Sequence, residues 1–472
     1  MDIKAMMCLP DTTLRKVLKI IDSNAKGIAF VTNESDKLVG VVTDGDIRRG
    51  LIYKNISLDS PISTCMNTEF VYAYITDDME GIAKRFNKKI SYIPVLDGSH
   101  KLIDCYERKM SVNIPIARPE LNGNELEYLT DAFMSTWISS TGKYVDKFEE
   151  KFSSYCGTAY GIAVSNGTTA LHLALVALGI KEGDEVIVPD LTFAATINAV
   201  LYTGATPVIV DIEEDSWCID PKEIEKAISH RTKAIVPVHL YGQPCEMDRI
   251  MEIATRNNLY VIEDCAEAHG AEFNGKKVGS FGQVGCFSFY ANKVITTGEG
   301  GMCLTNDAQL NEKMRVLRDH GMSKQHKYYH TMVGYNYRMT NMQAAIGVAQ
   351  LERIQDLLRW RCKLEEDYRA AIKDIEGIEM QRNDLPNRKK ITWLISALMP
   401  EEKRESFIEE MKDKGIDIRP FFIPLSEMEI YKKYSFSNAV SRRVSRQGIN
   451  FPTLNAVTKN TIELIAHTLG KK

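Results

Sequence analysis

The sequence predicts an α/β fold in three parts: a module of paired repeats, a large domain built on a mainly parallel sheet, and a smaller C-terminal α/β domain. Three observations predict it. Before residue 113 one pattern of amphipathic helix, apolar strand, polar turn and strand occurs twice, and two units that cannot each bury their own faces pack as a pair. After residue 113 short continuous apolar runs alternate with helical stretches, as strands buried on both faces of a parallel sheet do. Further on, a long charged helical stretch, "LERIQDLLRWRCKLEEDYRAAIKDI", joins this region to a last one, in which "NDLPNRKK" marks a surface turn. The limits are therefore set at residues 1–112, 113–365 and 366–472. A chain of 472 residues is too long for one core, and 44% hydrophobic content suffices to fill several.

The first copy of the repeat runs through "TTLRKVLKIIDSNAKGIAFVTNESDKLVGVVTDGDIRRGL", and the second through "DDMEGIAKRFNKKISYIPVLDGSHKLIDCYERKM". In "TDGDIRR", Thr43 and Asp46 are what a capped helix start requires. The pattern also resembles a tandem CBS module, in which a hydroxyl and a carboxylate at this spacing hold a nucleotide. That resemblance implies Thr43 facing phosphate and Asp46 facing the ribose hydroxyls. The second copy departs from it, with Glu107 and Met110 at the corresponding places, so one nucleotide site at most is expected. "ERKMSVNIPIARPELNG", with two prolines and no helical period, reads as the linker closing the module.

In open α/β sheets, ligands sit at the carboxyl ends of strands, and four such ends carry chemistry. After "GIAVS" come Asn166, Gly167, Thr168 and Thr169 at a helix start, where backbone N–H groups and hydroxyls make an anion site; Ser, Thr and Gly are also ordinary capping residues. After "EVIVP" stands the aromatic Phe193, which suits either a core or a stacking platform. After "LYVI" come Glu263 and Asp264, then Glu267 and His269, carboxylates at a buried strand end where charge needs a partner. In "GCFSFYANKVITTGEGGM", Ser288 lies in a strand and Lys293 precedes a glycine-rich turn; lysine is seldom buried unless paired or chemically committed. An anion cradle, a flat aromatic, a buried carboxylate and a desolvated lysine are together the parts needed to hold pyridoxal phosphate, with the carboxylate keeping the pyridine nitrogen protonated and the lysine attached covalently.

Composition excludes other classes. A formal net charge of -4, with basic residues scattered, lacks the footprint of nucleic-acid binding. No apolar stretch is long enough to span a bilayer, and the N-terminus lacks a signal-peptide pattern, so a cytoplasmic protein without membrane or nucleic-acid partners is expected. Ten cysteines spread singly suit reduced thiols better than disulfides or zinc, and no metal site is expected. Cys265, Cys286 and Cys303 read as small core residues.

"SNGTTALHLAL", "VPDLTFAATINAV", "VHLYGQP", "VIEDCAEAHGA", "GCFSFYANKVITTGEGGM" and "VGYNYRMTNMQAAIG" resemble, in order, the sugar aminotransferases of the DegT/DnrJ/EryC1/StrS family, a branch of fold-type I pyridoxal phosphate enzymes, over roughly residues 113–472. The resemblance implies that Lys293 carries the cofactor and shuttles the proton, Asp264 pairs with the pyridinium nitrogen, and Phe193 stacks on the ring. Thr168, Thr169 and Ser288 would bind its phosphate, and Glu267 would lie near its 3'-hydroxyl. "GYNYRM" matches a segment that relatives extend into the neighbouring subunit's phosphate site, which implies Asn336 and Arg338 acting across a homodimer. Trp137, Ser139, His330 and Arg419 fall in segments that line the sugar-nucleotide cleft. L-glutamate is the expected amino donor. Lysine at 293, where relatives that remove a sugar hydroxyl carry histidine, points to amine transfer. The motifs most resemble the branch that aminates C4 of a GDP-linked 4-keto-6-deoxy sugar for surface polysaccharide, as in O-antigen. UDP- or dTDP-linked 4-keto or 3-keto sugars, and a nucleotide-sensing regulatory protein with the domain as scaffold, stay open as alternatives. A nucleotide effector at the N-terminal module is a further expectation.

Overall fold

The structure, a computed structural model, describes all residues except 1–2, 25, 54–55, 78–80, 83–84, 87–89, 108–113, 324 and 472. The chain divides into two compact units, Met1–Ser111 and Val112–Lys472. The expected limit at residue 112 and the expected repeat position Met110 lie outside the described residues.

Within the first unit the repeat is visible as topology. Met7–Cys8 pairs in parallel with Ile28–Thr32, which pairs antiparallel with Leu38–Thr43; Ala73–Tyr74, Tyr92–Leu96 and Leu102–Glu107 reproduce the arrangement. Each hairpin turns on an Asx residue, because a short side-chain oxygen can replace a backbone acceptor in a tight turn. Asn33 Oδ1 accepts from the N–H groups of Ser35 and Lys37, and Asp97 Oδ1 from those of Ser99 and Lys101. The helix Leu14–Asn24 buries Leu14, Val17 and Ile21, a single stripe at helical spacing, against the first sheet.

The second unit is organised by a seven-stranded sheet in the order Tyr160–Val164, Gly301–Thr305, Val284–Ser288, Tyr260–Asp264, Thr232–Ile235, Glu185–Pro189 and Thr206–Val210. Gly301–Thr305 alone runs antiparallel to its neighbours, and every other pairing in the sheet is parallel. The expected mainly parallel α/β sheet is thus present. Glu185–Pro189 and Val284–Ser288 are buried at every position, as continuous apolar runs in a doubly covered sheet should be. Cys265, Cys286 and Cys303 are buried in its cores. The helix Ile354–Ile372 runs across residue 365 and packs with Glu401–Asp413 and Lys459–Leu469 on a smaller antiparallel sheet of Glu379–Met380, Ile395–Leu398, Gly448–Phe451 and Arg419–Pro420.

Candidate active site

Three strand ends converge where the phosphate-type site was expected. Ser288 pairs with Gly301, and Gly301 pairs with Val164, so the turn Ser165–Gly167 is held against both. Glycine is required there: a Cβ on Gly301 would lie 2.3 Å from the Asn166 carbonyl oxygen, and one on Gly167 would lie 2.8 Å from Ser288 Cβ. The first turn of the helix Gly167–Ala177 therefore abuts the Ser288 side chain, and helix-end N–H groups beside a hydroxyl favour an anion. Asn166 caps this helix by accepting from Thr169 N–H at 2.9 Å, while the Thr169 hydroxyl accepts from Asn166 N–H at 3.2 Å and donates to Asn166 O at 2.8 Å. The Thr169 side chain is thus engaged in shaping the turn, while Thr168 stands half-buried beside it.

On the next strand, Asp264 is buried, with Oδ2 accepting from Thr196 Oγ1 at 2.9 Å and Oδ1 from Ala266 N–H at 3.2 Å. Burial pushes its carboxyl above the usual carboxylate range, against the Thr196 bond and the Lys293 charge that pull it down. Phe193, which follows the strand Glu185–Pro189, is 61% exposed, its ring 5.9 Å from that of Phe422. It is an open aromatic platform rather than core.

Lys293 lies on the excursion between Ser288 and Gly301, its side chain only 11% exposed. Its Nζ stands 3.8 Å from Glu267 Oε1 and 3.8 Å from the centroid of the Trp393 ring. Desolvation holds its pKa below that of a free lysine, with Glu267 and Asp264 opposing. Glu267 in turn is pushed up to about 7 by burial, with Lys293 and the Tyr241 N–H pulling back. That N–H reaches Glu267 Oε2 at 2.8 Å because Tyr241 adopts φ +53°, a left-handed conformation uncommon for a bulky residue. His269 lies buried among Phe152, Phe287 and Phe289, its Nε2 2.9 Å from the Ser288 carbonyl oxygen, and burial holds its pKa down at about 3. A neutral ring must therefore donate from Nε2, which fixes the backbone at Ser288.

Glu263, His239 and Cys265 form a buried group of metal-ligating types. Their geometry is that of a hydrogen-bonded anchor. Glu263 accepts from the N–H groups of Gly279, Phe281 and Gly282 at 2.7, 2.7 and 2.8 Å, and His239 Nδ1 accepts from Cys245 N–H at 3.0 Å. The group ties the loop after Val278 beneath the strand that presents Asp264.

The remaining expected residues have partners of their own. Arg338 donates to Asn336 Oδ1 at 3.1 Å and pairs with Asp319 at 2.9 Å, while Tyr337 O accepts from Ser165 N–H at 2.8 Å, so this segment lies along the phosphate-type turn of its own chain. Exposed Trp137 and Ser139 offer their carbonyls to Asn341, His330 Nδ1 meets His320 O at 2.9 Å, and Arg419 pairs with Asp417 at 2.8 Å. These four occupy three separate surroundings. In the first unit Thr43 and Asp46 form a capping pair, Thr43 Oγ1 donating to Asp46 Oδ2 at 2.6 Å, with Arg49 on the other oxygen at 2.7 Å. Burial raises the Asp46 pKa, but the Thr43 and Arg49 bonds more than reverse it. Both residues line a cavity of about 570 Å³ with Lys26, Arg49 and Tyr92.

Trp393 and Tyr241 were not singled out by sequence. Tyr241 stood inside a quoted motif, but nothing local announced its backbone conformation. The lone tryptophan of "ITWLISAL" was the available signal for Trp393.

A buried lysine, a buried carboxylate aligned by Thr196, an open aromatic and an anion cradle that a Cβ at Gly167 would fill together fit pyridoxal phosphate. A profile of the DegT/DnrJ/EryC1/StrS aminotransferase family matches residues 119–470, and a CBS domain profile matches residues 1–53. The chain is 43% identical over 359 residues to GDP-perosamine synthase of Escherichia coli O157:H7 and 44% identical over 362 residues to that of Caulobacter vibrioides, each alignment covering 76% of this chain and 98% of the relative. Among solved structures it is similar to S. venezuelae DesV, at 33% identity and TM-score 0.69 over 74% of this chain and 93% of that one. It is also similar to the sugar aminotransferase Spr1654 of Streptococcus pneumoniae in its PLP form, at 27% identity and TM-score 0.72 over 76% of this chain and 98% of that one.

Proposed function

We propose, from the premise that this chain belongs to the DegT/DnrJ/EryC1/StrS aminotransferase family and is a pyridoxal phosphate-dependent sugar aminotransferase, that it converts a GDP-linked 4-keto-6-deoxy sugar to the 4-amino sugar with L-glutamate as donor. The observation that carries the reading is the buried Lys293 set between Glu267 and Trp393, one strand over from Asp264. The relatives named GDP-perosamine synthase, which it matches over nearly their whole length, support the choice of sugar nucleotide.

When bound, the cofactor supplies the electron sink that lets the proton leave the carbon bearing the amine. In this reading Asp264, oriented by Thr196, keeps a negative charge against the ring nitrogen. Ser288 and the N–H groups at Gly167 and Thr168 hold the phosphate, with Thr169 shaping their turn, and Phe193 covers one face. Lys293 Nζ, kept deprotonation-prone by burial, takes the proton and returns it. Glu267 orients the lysine and the 3'-hydroxyl. The segment of Asn336 and Arg338, whose backbone lies along the turn of its own chain, would complete the phosphate site of a second copy with these side chains, and the apolar side chains of Phe133, Met134, Trp137, Tyr328 and Val333, exposed in the single chain, support a homodimer. Trp137, Ser139, His330 and Arg419 contact the sugar nucleotide. In the CBS-like first unit, the cavity bearing Thr43 and Asp46 takes a nucleotide effector. The setting is cytoplasmic polysaccharide biosynthesis.

The test is a product assay with L-glutamate against GDP-, UDP- and dTDP-linked 4-keto and 3-keto sugars. The GDP-linked 4-keto-6-deoxy sugar is expected to be aminated fastest, and preference for another nucleotide overturns that choice. Lys293→Ala is expected to abolish both turnover and the absorbance of the covalently held cofactor; retention of either removes the assignment of Lys293.

A further inference from the structure

Trp393 comes from the smaller antiparallel region, yet it meets the lysine loop at two points, once at Lys293 and once at its neighbour. Its ring centroid lies 3.8 Å from Lys293 Nζ, and its Nε1–H donates to the carbonyl of Asn292, the preceding residue, at 2.9 Å. The indole is itself fixed. Its backbone carbonyl accepts from the buried Arg361 Nη1 at 3.0 Å, and its ring stacks on Tyr241 at 6.0 Å, the residue whose N–H holds Glu267. Glu267 Oε1 stands 3.8 Å from the ammonium. Indole face and carboxylate thus both lie against Lys293, and one aromatic contact joins their supports.

We propose that Trp393 is a positioning residue for the transamination: its indole face holds the Lys293 ammonium, and its Nε1–H fixes the lysine loop, during the half of the cycle in which Lys293 is not covalently engaged. A freed lysine on a flexible stem would otherwise sample many rotamers before returning its proton. Trp393 and Glu267 restrict it to one place. An aromatic face stabilises the charged form of the amine, so it opposes desolvation, as Glu267 and Asp264 do. His269, kept neutral, Arg361, which faces the Trp393 carbonyl rather than the ammonium, and Tyr241, whose phenol burial keeps protonated, are the other titratable groups packed around the pair. The inference rests on the reading of Lys293 as the cofactor lysine.

The test uses the full-length chain freed of cofactor. Acylation of Lys293 by an amine-reactive reagent is followed by peptide mass spectrometry across pH, each rate taken relative to its own high-pH plateau so that altered access cancels. Trp393→Leu removes the face, and at a pH below the midpoint the relative rate is expected to rise about three- to tenfold, the span of a modest cation–π contact. Trp393→Phe keeps a weaker face and is expected to give a smaller rise in the same direction; it carries the test alone if the leucine variant does not fold. Glu267→Gln raises the relative rate by removing the carboxylate that also favours the ammonium. An unchanged or lower relative rate in the foldable Trp393 variants overturns the inference, because a merely structural tryptophan admits water on removal and favours the ammonium. Loss of the cofactor assignment is a separate outcome, read from the absorbance of wild type and Lys293→Ala.

Discussion

Gly167→Ala isolates the anion cradle from the rest of the site. Nothing in the backbone forbids alanine there, because Gly167 is not among the glycines held at positive φ, and a helix start tolerates alanine. The new methyl would meet Ser288 Cβ at 2.8 Å, Oγ at 3.3 Å and Cα at 3.4 Å. Carbon atoms in ordinary contact stand about 3.5–4.0 Å apart, so the helix start and Ser288 must separate by about 0.7 Å or more. Ser288 has little freedom to move, since its strand pairs on both sides and its carbonyl is held by His269. The overpacking costs about 1–3 kcal/mol, and the cofactor phosphate loses at least one hydrogen bond of the charged kind, about 1.5–3 kcal/mol. The dissociation constant for pyridoxal phosphate should therefore rise about 10- to 100-fold. Titration of the cofactor into the cofactor-free chain reads this directly, and a parallel titration with inorganic phosphate should weaken in step. A variant of unchanged melting temperature that binds both as wild type does would refute the cradle.

Other substitutions probe the frame. Glu263→Ala leaves the buried N–H of Gly279 and the half-buried N–H groups of Phe281 and Gly282 without their acceptor, at about 1–3 kcal/mol for the buried one, and hydrogen exchange should accelerate at these three before the rest of the sheet; unchanged protection there would refute the anchor. His269 and Glu267 set opposite pH limbs. With His269 held at about 3, its contribution to stability is full above the ordinary value near 6.5 and is lost as pH falls toward 3. With Glu267 raised to about 7, its contribution is full below the ordinary value near 4.5 and is lost as pH rises through 7. Melting of the cofactor-free chain across pH should accordingly lose part of its acid limb in His269→Asn and part of its neutral limb in Glu267→Gln. Thr43→Ala should destabilise the first unit by about 1 kcal/mol through loss of a helix cap, measured by its melting transition, and should weaken nucleotide binding in the same unit.

The legible parts of the site were those that a strand end announces. Asp264 and Ser288 close continuous apolar runs, and a carboxylate or hydroxyl in that position stands out from its neighbours. Lys293 was legible because lysine is out of place between a buried strand and a glycine turn. Thr169 shows the limit of such reading: the same hydroxyl suits a phosphate and a cap, and only the fold shows it bonded to Asn166. Phe193 was ambiguous between core and platform for a similar reason, since exposure is decided by what packs from far along the chain. Trp393 was hidden most deeply. A single tryptophan just before the buried strand Ile395–Leu398 has every reason to be core, and its contact with Lys293 depends on a docking between regions separated by a hundred residues of sequence. The topology of the repeats in the first unit was readable from one hairpin to the next, because Asn33 and Asp97 mark equivalent turns.

The excursion bearing Lys293 leaves the sheet at Ser288 and rejoins it at Gly301, and those two residues are direct partners across the hairpin. It is consequently a closed detour whose two ends are fastened before its tip does anything. Folding of the frame then makes few demands on the identity of residue 293, so evolution can exchange the reagent while keeping the mount. A lineage that swaps lysine for histidine at the tip changes its chemistry without rebuilding its architecture, which makes this short detour a modular tool holder.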